Sequence, residues 1–413
     1  MLGTLICDQK WRRGEPRVGF SQIDYQQLHA SFAHQHSAGI TRYLPRRMFN
    51  KLDNWSNPAQ IPCQIDAHGN LVGAENVPPV PAIQRKAITA IRENLQRSKT
   101  GAALLVIADS GRISSGFEFV ADSRAAAGYY NINRDVLFNI NSPLMAHDRV
   151  EPFIDLAGYI GAHELAHVAQ DKHCGRDFGR WDIRYTLMHQ MMATRHYEAA
   201  ADAVAVDVAW QLKQAGAPGM WRRIEQDPAE QHLARSFSRS VARNAANATN
   251  GKARRAVHDA WFKNKASMGY YDQGVLDRVR SNLDMLSAQQ LKGFTNPLAR
   301  ATAHEAGRLR VHRDQLRDYG TMPDGGDHLR LTGHPDVWDE KYTAPSSPAM
   351  LRQAQLMDEM IKRMASGSLL LEDDFAALDD AKKVTEADTP VQEWRSRRLA
   401  RKNPVAIPPR PGL

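Results

Sequence analysis

Three helices are predicted from the spacing of apolar residues, over 83–95, 151–170 and 186–214. In the first, apolar side chains recur every four residues and therefore share one helix face. Proline at the first helical position, here Pro152, is a typical start signal for the second helix, and Gly216 ends the third. The apolar positions of the first helix are Ile83, Ala87, Ile91 and Leu95.

Short apolar runs between the first two helices predict β-strands. The continuous run 102–107, which follows Gly101, is typical of a buried strand, and Phe117–Val120 predicts a second strand. Residues 129–133 alternate between apolar and polar positions, which predicts a half-buried third strand. Further helical patterns follow over 220–320. This order of a helix, a few strands and then helices indicates an α+β fold rather than alternating βαβ units.

The composition of the 413-residue chain is that of a globular protein, with 42% hydrophobic and 24% charged residues. It excludes a collagen-like, disulfide-rich or generally disordered chain. No run reaches the roughly 18 apolar residues of a membrane helix, and the N-terminus is too charged to contain the apolar core of a signal peptide. The three cysteines are widely spaced, which favours a reducing compartment. A soluble, cytoplasmic protein is therefore expected, with export by a non-classical secretion system as the alternative.

The net charge of +8 is concentrated at the C-terminal end of the chain. Residues 391–413 are proline-rich and carry six basic side chains against one acidic side chain, which leaves +3 for the rest of the chain. Such a segment is typical of a disordered, solvated tail. Binding to nucleic acid is therefore not expected.

Residues 163–167 read His-Glu-Leu-Ala-His, the H-E-x-x-H pattern, and lie within the second predicted helix. Because four residues are slightly more than one helical turn, His163 and His167 project from the same face and can hold one metal ion. Neutral imidazole nitrogens suit Zn²⁺, and Glu164 can serve as general base for the attacking water. The alternative is a pair of surface histidines beside a solvated glutamate, but the apolar residues around the pattern favour the metal site.

A catalytic zinc takes three protein ligands, and the next predicted helix offers a third. Glu198 is the preferred candidate, and Asp202, one turn later, can accept the remaining ring N–H of a ligand histidine and set its tautomer. His173 is the rival, because it follows His167 at the spacing of the metzincin motif. That motif needs glycine where this chain has Gln170, so the sequence favours Glu198.

The segments 163–170 and 198–202, with their H-E-x-x-H and E-x-x-A-D patterns, resemble the gluzincin zinc metallopeptidases of the HtpX and CAAX-prenyl-protease family. The resemblance extends over residues 83–212 and implies a zincin-like metallopeptidase core. The strand over 129–133 would match the edge strand with which that family holds an extended substrate by strand addition. The roles that the resemblance implies are zinc ligands for His163, His167 and Glu198, general base for Glu164, and an outer partner of a ligand histidine for Asp202.

The chain also departs from that family. Many members carry membrane helices, and this sequence predicts none. Many carry a later T-H-P segment followed by arginine, whereas residues 331–335 read Leu-Thr-Gly-His-Pro, so a catalytic role for His334 is weakly supported. Tyr270 and Tyr271 could donate a hydrogen bond to an oxyanion, although paired tyrosines more often pack. Cys174 could bind metal, but no spacing in the sequence supports a cysteine site. His189 and His196 are expected to pack or to lie at the surface.

The sequence as a whole predicts a zinc-dependent metalloendopeptidase with one Zn²⁺ per chain and protein or peptide substrates. The expected organisation is an irregular region over 1–80, a zincin-like core over 81–216, a mainly helical extension over 217–390 and a basic disordered tail over 391–413. The core would combine a small sheet, an active-site helix and a ligand helix. Three alternatives stay open: a catalytically inert, zinc-stabilised interaction module, a DNA-associated protease and a secreted effector protease. No feature predicts an oligomeric state.

Overall fold

The computed structural model describes most of the chain between residues 82 and 386. The described parts are residues 82–110, 116–120, 128–130, 136–139, 150–174 and 182–386, with Ser21, Asp24, Leu28 and the pairs 43–44, 61–62, 64–65 and 71–72. The predicted tail over 391–413 lies outside the described residues, as does most of the region 1–80. The four described pairs are short strands that form two antiparallel ladders, β1 (Tyr43–Leu44) with β2 (Ile61–Pro62) and β3 (Gln64–Ile65) with β4 (Leu71–Val72).

Helix α1, Ala82–Gln96, follows the predicted apolar spacing. Ala87, Ile91 and Leu95 are fully buried, as expected for side chains four residues apart on one face of a helix. This face packs against the later helices of the core, and the prediction of the first helix is therefore confirmed.

The predicted strand over 102–107 is wrong, because these residues lie in helix α2, Lys99–Asp109. Ser98 caps the start of this helix: its hydroxyl accepts a hydrogen bond from the Gly101 amide at 2.8 Å. A short apolar run cannot by itself distinguish a buried strand from a buried helix. In α2 one side of the run is buried, whereas Val106 on the other side is 66% exposed.

A three-stranded sheet follows α2. Its strands are β5 (Phe117–Val120), β6 (Gly128–Tyr130) and β7 (Val136–Asn139), in the order β5-β7-β6. The central strand β7 runs parallel to β5 and antiparallel to β6. The predicted strand over 117–120 is confirmed, and β6 contains the first two residues of the predicted strand over 129–133, whose other residues lie outside the described ones. Strand β7 was not predicted.

Two long helices form the centre of the molecule, α3 (Val150–Cys174) and α4 (Leu187–Gln214). Both correspond to predicted helices, and α3 continues one turn further than expected. The sheet packs on α3, where the rings of Phe119 and Phe153 stack with centroids 5.9 Å apart. Helix α4 packs along α3. Small side chains of α4 that share the main apolar cluster with α3 are fully buried, namely Ala199, Ala201, Ala203 and Ala205.

The chain after α4 is mainly helical. The remaining helices are α5 (Gly219–Gln226), α6 (Gln231–Arg243), α7 (Lys252–Trp261), α8 (Lys265–Leu291), α9 (Pro297–Glu305), α10 (Arg313–Asp318), α11 (Glu340–Thr343), α12 (Pro348–Ala365) and α13 (Glu372–Glu386). Trp221 and Phe237, which follow the expected boundary at 216/217, pack in the same apolar cluster as Leu165 and Val204. Helices α8, α9, α12 and α13 enclose a second cluster.

A long segment between α9 and α12, residues 309–344, lies over α4, and we refer to it as the strap. It contributes Val311, Leu316, Tyr319, Leu329 and Val337 to a third apolar cluster, with partners that include Met192 and Tyr197 on α4. A mainly helical molecule with a small sheet belongs to the α+β class. Among the described residues, no helix combines the length and apolar character needed to span a membrane.

Candidate metal centre

Three potential metal ligands from two helices meet at one point. His163 and His167 lie one turn apart on α3, and α4 places Glu198 opposite them. The Nε2 atoms of the two histidines are 3.0 Å apart. The Oε2 atom of Glu198 lies 3.2 Å from Nε2 of His163 and 3.5 Å from Nε2 of His167. The structure therefore brings together the three residues that the sequence put forward as ligands.

The other ring nitrogen of each histidine has an acceptor for its proton. Nδ1 of His163 lies 2.8 Å from Oδ1 of Asp202, and Nδ1 of His167 lies 2.8 Å from Oε1 of Gln170. The orientation of the Gln170 amide follows from its other end, because its Nε2 donates to the backbone oxygens of Tyr197 and Tyr319 at 3.1 and 3.2 Å. Both histidines are therefore protonated at Nδ1.

This arrangement leaves three acceptors facing one another. In a neutral imidazole that is protonated at Nδ1, the Nε2 atom carries a lone pair and no hydrogen. Two such lone pairs and a carboxylate oxygen lie 3.0–3.5 Å apart, a contact that needs a proton or a metal cation between them. For tetrahedral Zn²⁺ with ligands at about 2.0–2.1 Å, neighbouring ligand atoms are about 3.3 Å apart. The triangle therefore fits one face of such a site.

Several neighbours hold these groups in place. The ring of Tyr197 stacks on the ring of His167 with centroids 3.9 Å apart and planes 4° apart. His163 contacts the ring of His167 edge-on. Asp202 is itself oriented by Trp261 of α7, whose indole N–H donates to the second carboxylate oxygen at 2.9 Å. Each histidine thus has a fixed ring orientation as well as a fixed tautomer.

The charges of the site shift the pKa values of its groups. Burial raises the pKa of Glu164 to about 7, and the charges of Glu198 and Asp202 act in the same direction while His163 opposes them. For Glu198, burial is outweighed by the charge of His167 and by hydrogen bonds from both histidines, so its pKa lies below the usual range. Burial disfavours a charge on His163, but Asp202 and Glu198 outweigh it and hold the pKa of His163 well above its ordinary value. In the metal-free protein, the additional proton on His163 therefore lies between the acceptors in place of a metal ion.

Residues 74–294 match the family model described as "Putative metallopeptidase family (DUF6782)". The match covers more than half of the chain and includes the three converging ligand candidates. The chain belongs to this family. No curated protein and no solved structure matches the chain. Membership of a metallopeptidase family implies a bound metal ion and peptide substrates, and among the described residues the one group of side chains placed to hold an ion is the triad His163, His167 and Glu198.

The other histidines considered as ligands of this metallopeptidase lie elsewhere. His173 is 46% exposed, and its Nε2 is 3.9 Å from a carboxylate oxygen of Asp318 on the strap. His196 is fully buried between His258 and the backbone oxygen of Val337, at 3.1 Å from each. His189 accepts a hydrogen bond from the backbone of the strap. The structure therefore does not bring His173, the rival third ligand, to the metal triad.

The remaining candidates have packing environments. Tyr271 packs against Trp261, the residue that orients Asp202, and its ring also contacts Tyr270. Cys174 is partly buried beside the third apolar cluster. His334 lies in the strap, where burial and the charge of Arg255 lower its pKa. Of these, Tyr271 contacts a member of the hydrogen-bond network around the metal triad, because its ring packs against Trp261.

Sequence reasoning missed four residues that shape this site. Gln170 was considered only as the residue that replaces a metzincin glycine, although its position three residues after His167 places it on the same helix face. Tyr197 directly precedes Glu198, but stacking on a histidine has no sequence signal. Trp261 and Tyr319 are far along the chain from the two histidines, and neither lies in a recognisable motif. No local pattern could have found these last two residues.

Proposed function

We propose that the chain is a zinc-dependent metalloendopeptidase in which His163, His167 and Glu198 hold the metal. The observation that carries the proposal is the convergence of two imidazole Nε2 lone pairs and a carboxylate oxygen within 3.5 Å, with both Nδ1 protons engaged elsewhere. Acceptors held so close together in a packed interior need a proton or a metal cation between them, and two imidazoles with one carboxylate are a donor set that suits a metal. In a metallopeptidase, this is the expected position of the catalytic metal.

Zinc is the metal that the donor set favours. Two imidazoles and one carboxylate form one of the ligand sets of catalytic zinc, and they leave one coordination position open. Calcium and magnesium prefer oxygen ligands, and two histidines would serve them poorly. When bound, Zn²⁺ polarises the scissile carbonyl and brings the pKa of a coordinated water toward neutrality.

Glu164 is the proposed general base. It follows His163 directly on α3 and is buried, and the charges of Glu198 and Asp202 add to the burial that raises its pKa. Burial raises the pKa of this carboxyl in the metal-free protein, and a general base that must accept and release a proton works best with a pKa near the working pH. The carboxylate would take a proton from the attacking water and deliver it to the nitrogen of the leaving amine.

Asp202 and Trp261 support this chemistry from outside the ligand set. The Asp202 carboxylate keeps the proton of His163 on Nδ1, so that Nε2 stays available to the metal, and it makes the imidazole a stronger electron donor. Trp261 fixes the second oxygen of that carboxylate. Loss of either residue would loosen the histidine without removing a ligand.

The finer resemblance to the HtpX and CAAX-prenyl-protease gluzincins supports the same proposal. Three features are consistent with a zincin-like core: the spacing of the two motifs, the third ligand candidate on a separate helix, and the small sheet packed on the helix that carries the two histidines. In the described sheet, β6 lies at one edge and pairs with β7 on one side. An extended peptide could pair with the other side of β6, which suits an endopeptidase.

The decisive experiment combines metal analysis with one conservative variant. The purified protein should contain about one zinc per chain and should cleave peptides in a denatured proteome digest. Glu164→Gln should retain zinc and fold, but it should lose cleavage because an amide does not accept the water proton. If the wild-type protein binds no zinc after reconstitution, the proposed function is wrong. Stoichiometric zinc without cleavage would instead indicate the inert, zinc-stabilised module.

A further inference from the structure

Two contacts hold the ring of His167, and each leads outward from the metal triad to a further residue. Along one edge, its Nδ1–H donates to Oε1 of Gln170 at 2.8 Å. Against one face lies the ring of Tyr197, nearly parallel at 3.9 Å. Both neighbours belong to the long helices α3 and α4.

Gln170 and Tyr197, the two neighbours of His167, both contact the same residue of the strap, Tyr319. The Gln170 side-chain amide donates to the backbone oxygen of Tyr319 at 3.2 Å. The ring of Tyr319 packs edge-on against Tyr197, with centroids 5.4 Å apart and planes at 76°. Tyr319 is 1% exposed and lies beyond the end of the family match at residue 294. A segment outside the matched region therefore contacts both neighbours of His167.

Buried donors on α4 and α7 hold the strap in register. His196 contacts the backbone oxygen of Val337 at 3.1 Å, and Arg195 donates to that of Ala344 at 2.7 Å. Arg255 of α7 donates to the backbone oxygen of Pro335 at 2.6 Å. These donors are fully buried, so breaking such a contact leaves an unsatisfied polar group in the interior. The strap is therefore a fixed part of the core rather than a loose connection.

We propose that the strap is part of the metal-holding unit, and that Tyr319 and Gln170 are positioning residues for His167. This inference rests on the proposed function, because it assumes that His167 binds the metal. The strap supports the ring through Tyr197 and also holds the amide that fixes its tautomer. Loss of the support would let the imidazole turn or change tautomer, so the metal would bind more weakly although all three ligands remain.

Two variants test this link without changing a ligand. Tyr319→Ala removes the ring that supports Tyr197. Gln170→Glu keeps an acceptor for the His167 proton but places a carboxylate oxygen against the backbone oxygens of Tyr197 and Tyr319. Each should raise the zinc dissociation constant by roughly 10- to 100-fold, the usual effect of losing an outer partner of a ligand. The absorption bands of the cobalt-substituted protein should also shift, since they report ligand geometry.

Controls separate positioning from general loss of stability. Tyr319→Phe retains the ring and the backbone oxygen, and it should restore wild-type affinity. Leu283→Ala leaves a cavity in the second apolar cluster, away from the strap, and should lower the free energy of unfolding without changing the cobalt spectrum. If Tyr319→Ala does not fold, Tyr319→Leu takes its place, because leucine fills more of the cavity but lacks the ring that contacts Tyr197.

Wild-type affinity and an unchanged cobalt spectrum in Gln170→Glu would overturn the inference, because an acceptor alone would then suffice for His167. The same result in a folded Tyr319→Ala protein would overturn the role of Tyr319. In either case a wild-type protein that binds zinc and cleaves peptides would leave the proposed function intact. Absence of zinc from the wild-type protein would contradict the proposed function itself.

Discussion

Replacing Glu198 by alanine removes one of the three converging acceptors and leaves two histidines. The apparent free energy of zinc binding to four-ligand structural sites is about 10–16 kcal/mol, or roughly 2.5–4 kcal/mol for each ligand. Since 1.4 kcal/mol corresponds to a tenfold change, Glu198→Ala should weaken zinc binding by roughly 10²- to 10³-fold. The side chain is 12% exposed, so solvent cannot easily supply an equivalent ligand.

Two further variants set the scale for this loss. Asp202→Asn weakens the acceptor for the proton of His163 but keeps all three ligands, so it should cost roughly 10- to 100-fold in affinity. His173→Ala is the control, because this histidine is 46% exposed and contacts the strap rather than the triad. Its zinc affinity should equal that of the wild-type protein.

The assay is a competition titration with a chromophoric zinc chelator at fixed pH, in which all proteins are first stripped of metal. Unfolding in urea should accompany it, so that a loss of affinity is not confused with a loss of fold. The expected order of damage is Glu198, then Asp202, then His173. A ranking with His173→Ala as the worst variant would refute the reasoning and make the site metzincin-like.

The pKa of His163 is raised in the folded, metal-free protein, so the proton that it binds stabilises the fold at low pH. This contribution disappears as the pH rises through the raised pKa. Urea unfolding of chelator-treated protein should therefore show a free energy of unfolding that falls above neutral pH. Trp261→Phe removes the donor to the outer carboxylate, and chelator competition should detect weaker zinc binding. The free energy of unfolding should also fall, because the indole is buried and the smaller ring leaves a cavity. Gly101→Ala should cost about 1–3 kcal/mol of unfolding free energy, because the added Cβ would lie 2.4 Å from a backbone oxygen of α1, whereas Gly274→Ala, with no atom within 4 Å of its Cβ, should be neutral or stabilising. Deletion of residues 391–413 should leave DNA retention at physiological salt negligible and unchanged, as measured by a gel-shift assay.

The local sequence pattern was enough to predict where the long helices lie. The apolar spacing located α1, which buries one face, and the apolar content with the proline and glycine signals located α3 and α4, which are buried on most sides. The same spacing put His163 and His167 on one side of a helix before any contact was known. These are properties of a single turn of backbone, and no distant residue is needed to infer them.

The strand predicted over 102–107 shows where local reasoning fails. A run of six apolar residues satisfies either a buried strand or a buried helix, and the choice depends on which neighbours are available. Ser98 caps the helix, and Gly101 allows it to pack against the end of α1. The prediction gave Gly101 the role of a strand boundary, although its real role is close contact.

The sequence by itself determined the H-E-x-x-H pair and its placement on a helix, and it named Glu198 and Asp202 as candidates. Only the tertiary structure decided that Glu198 reaches the pair while His173 does not, since that depends on how α4 packs against α3. It also decided that Gln170 and Tyr319 support His167. The physical reason is distance along the chain: a helical turn relates residues four apart, but contacts between remote segments arise only when the whole core packs.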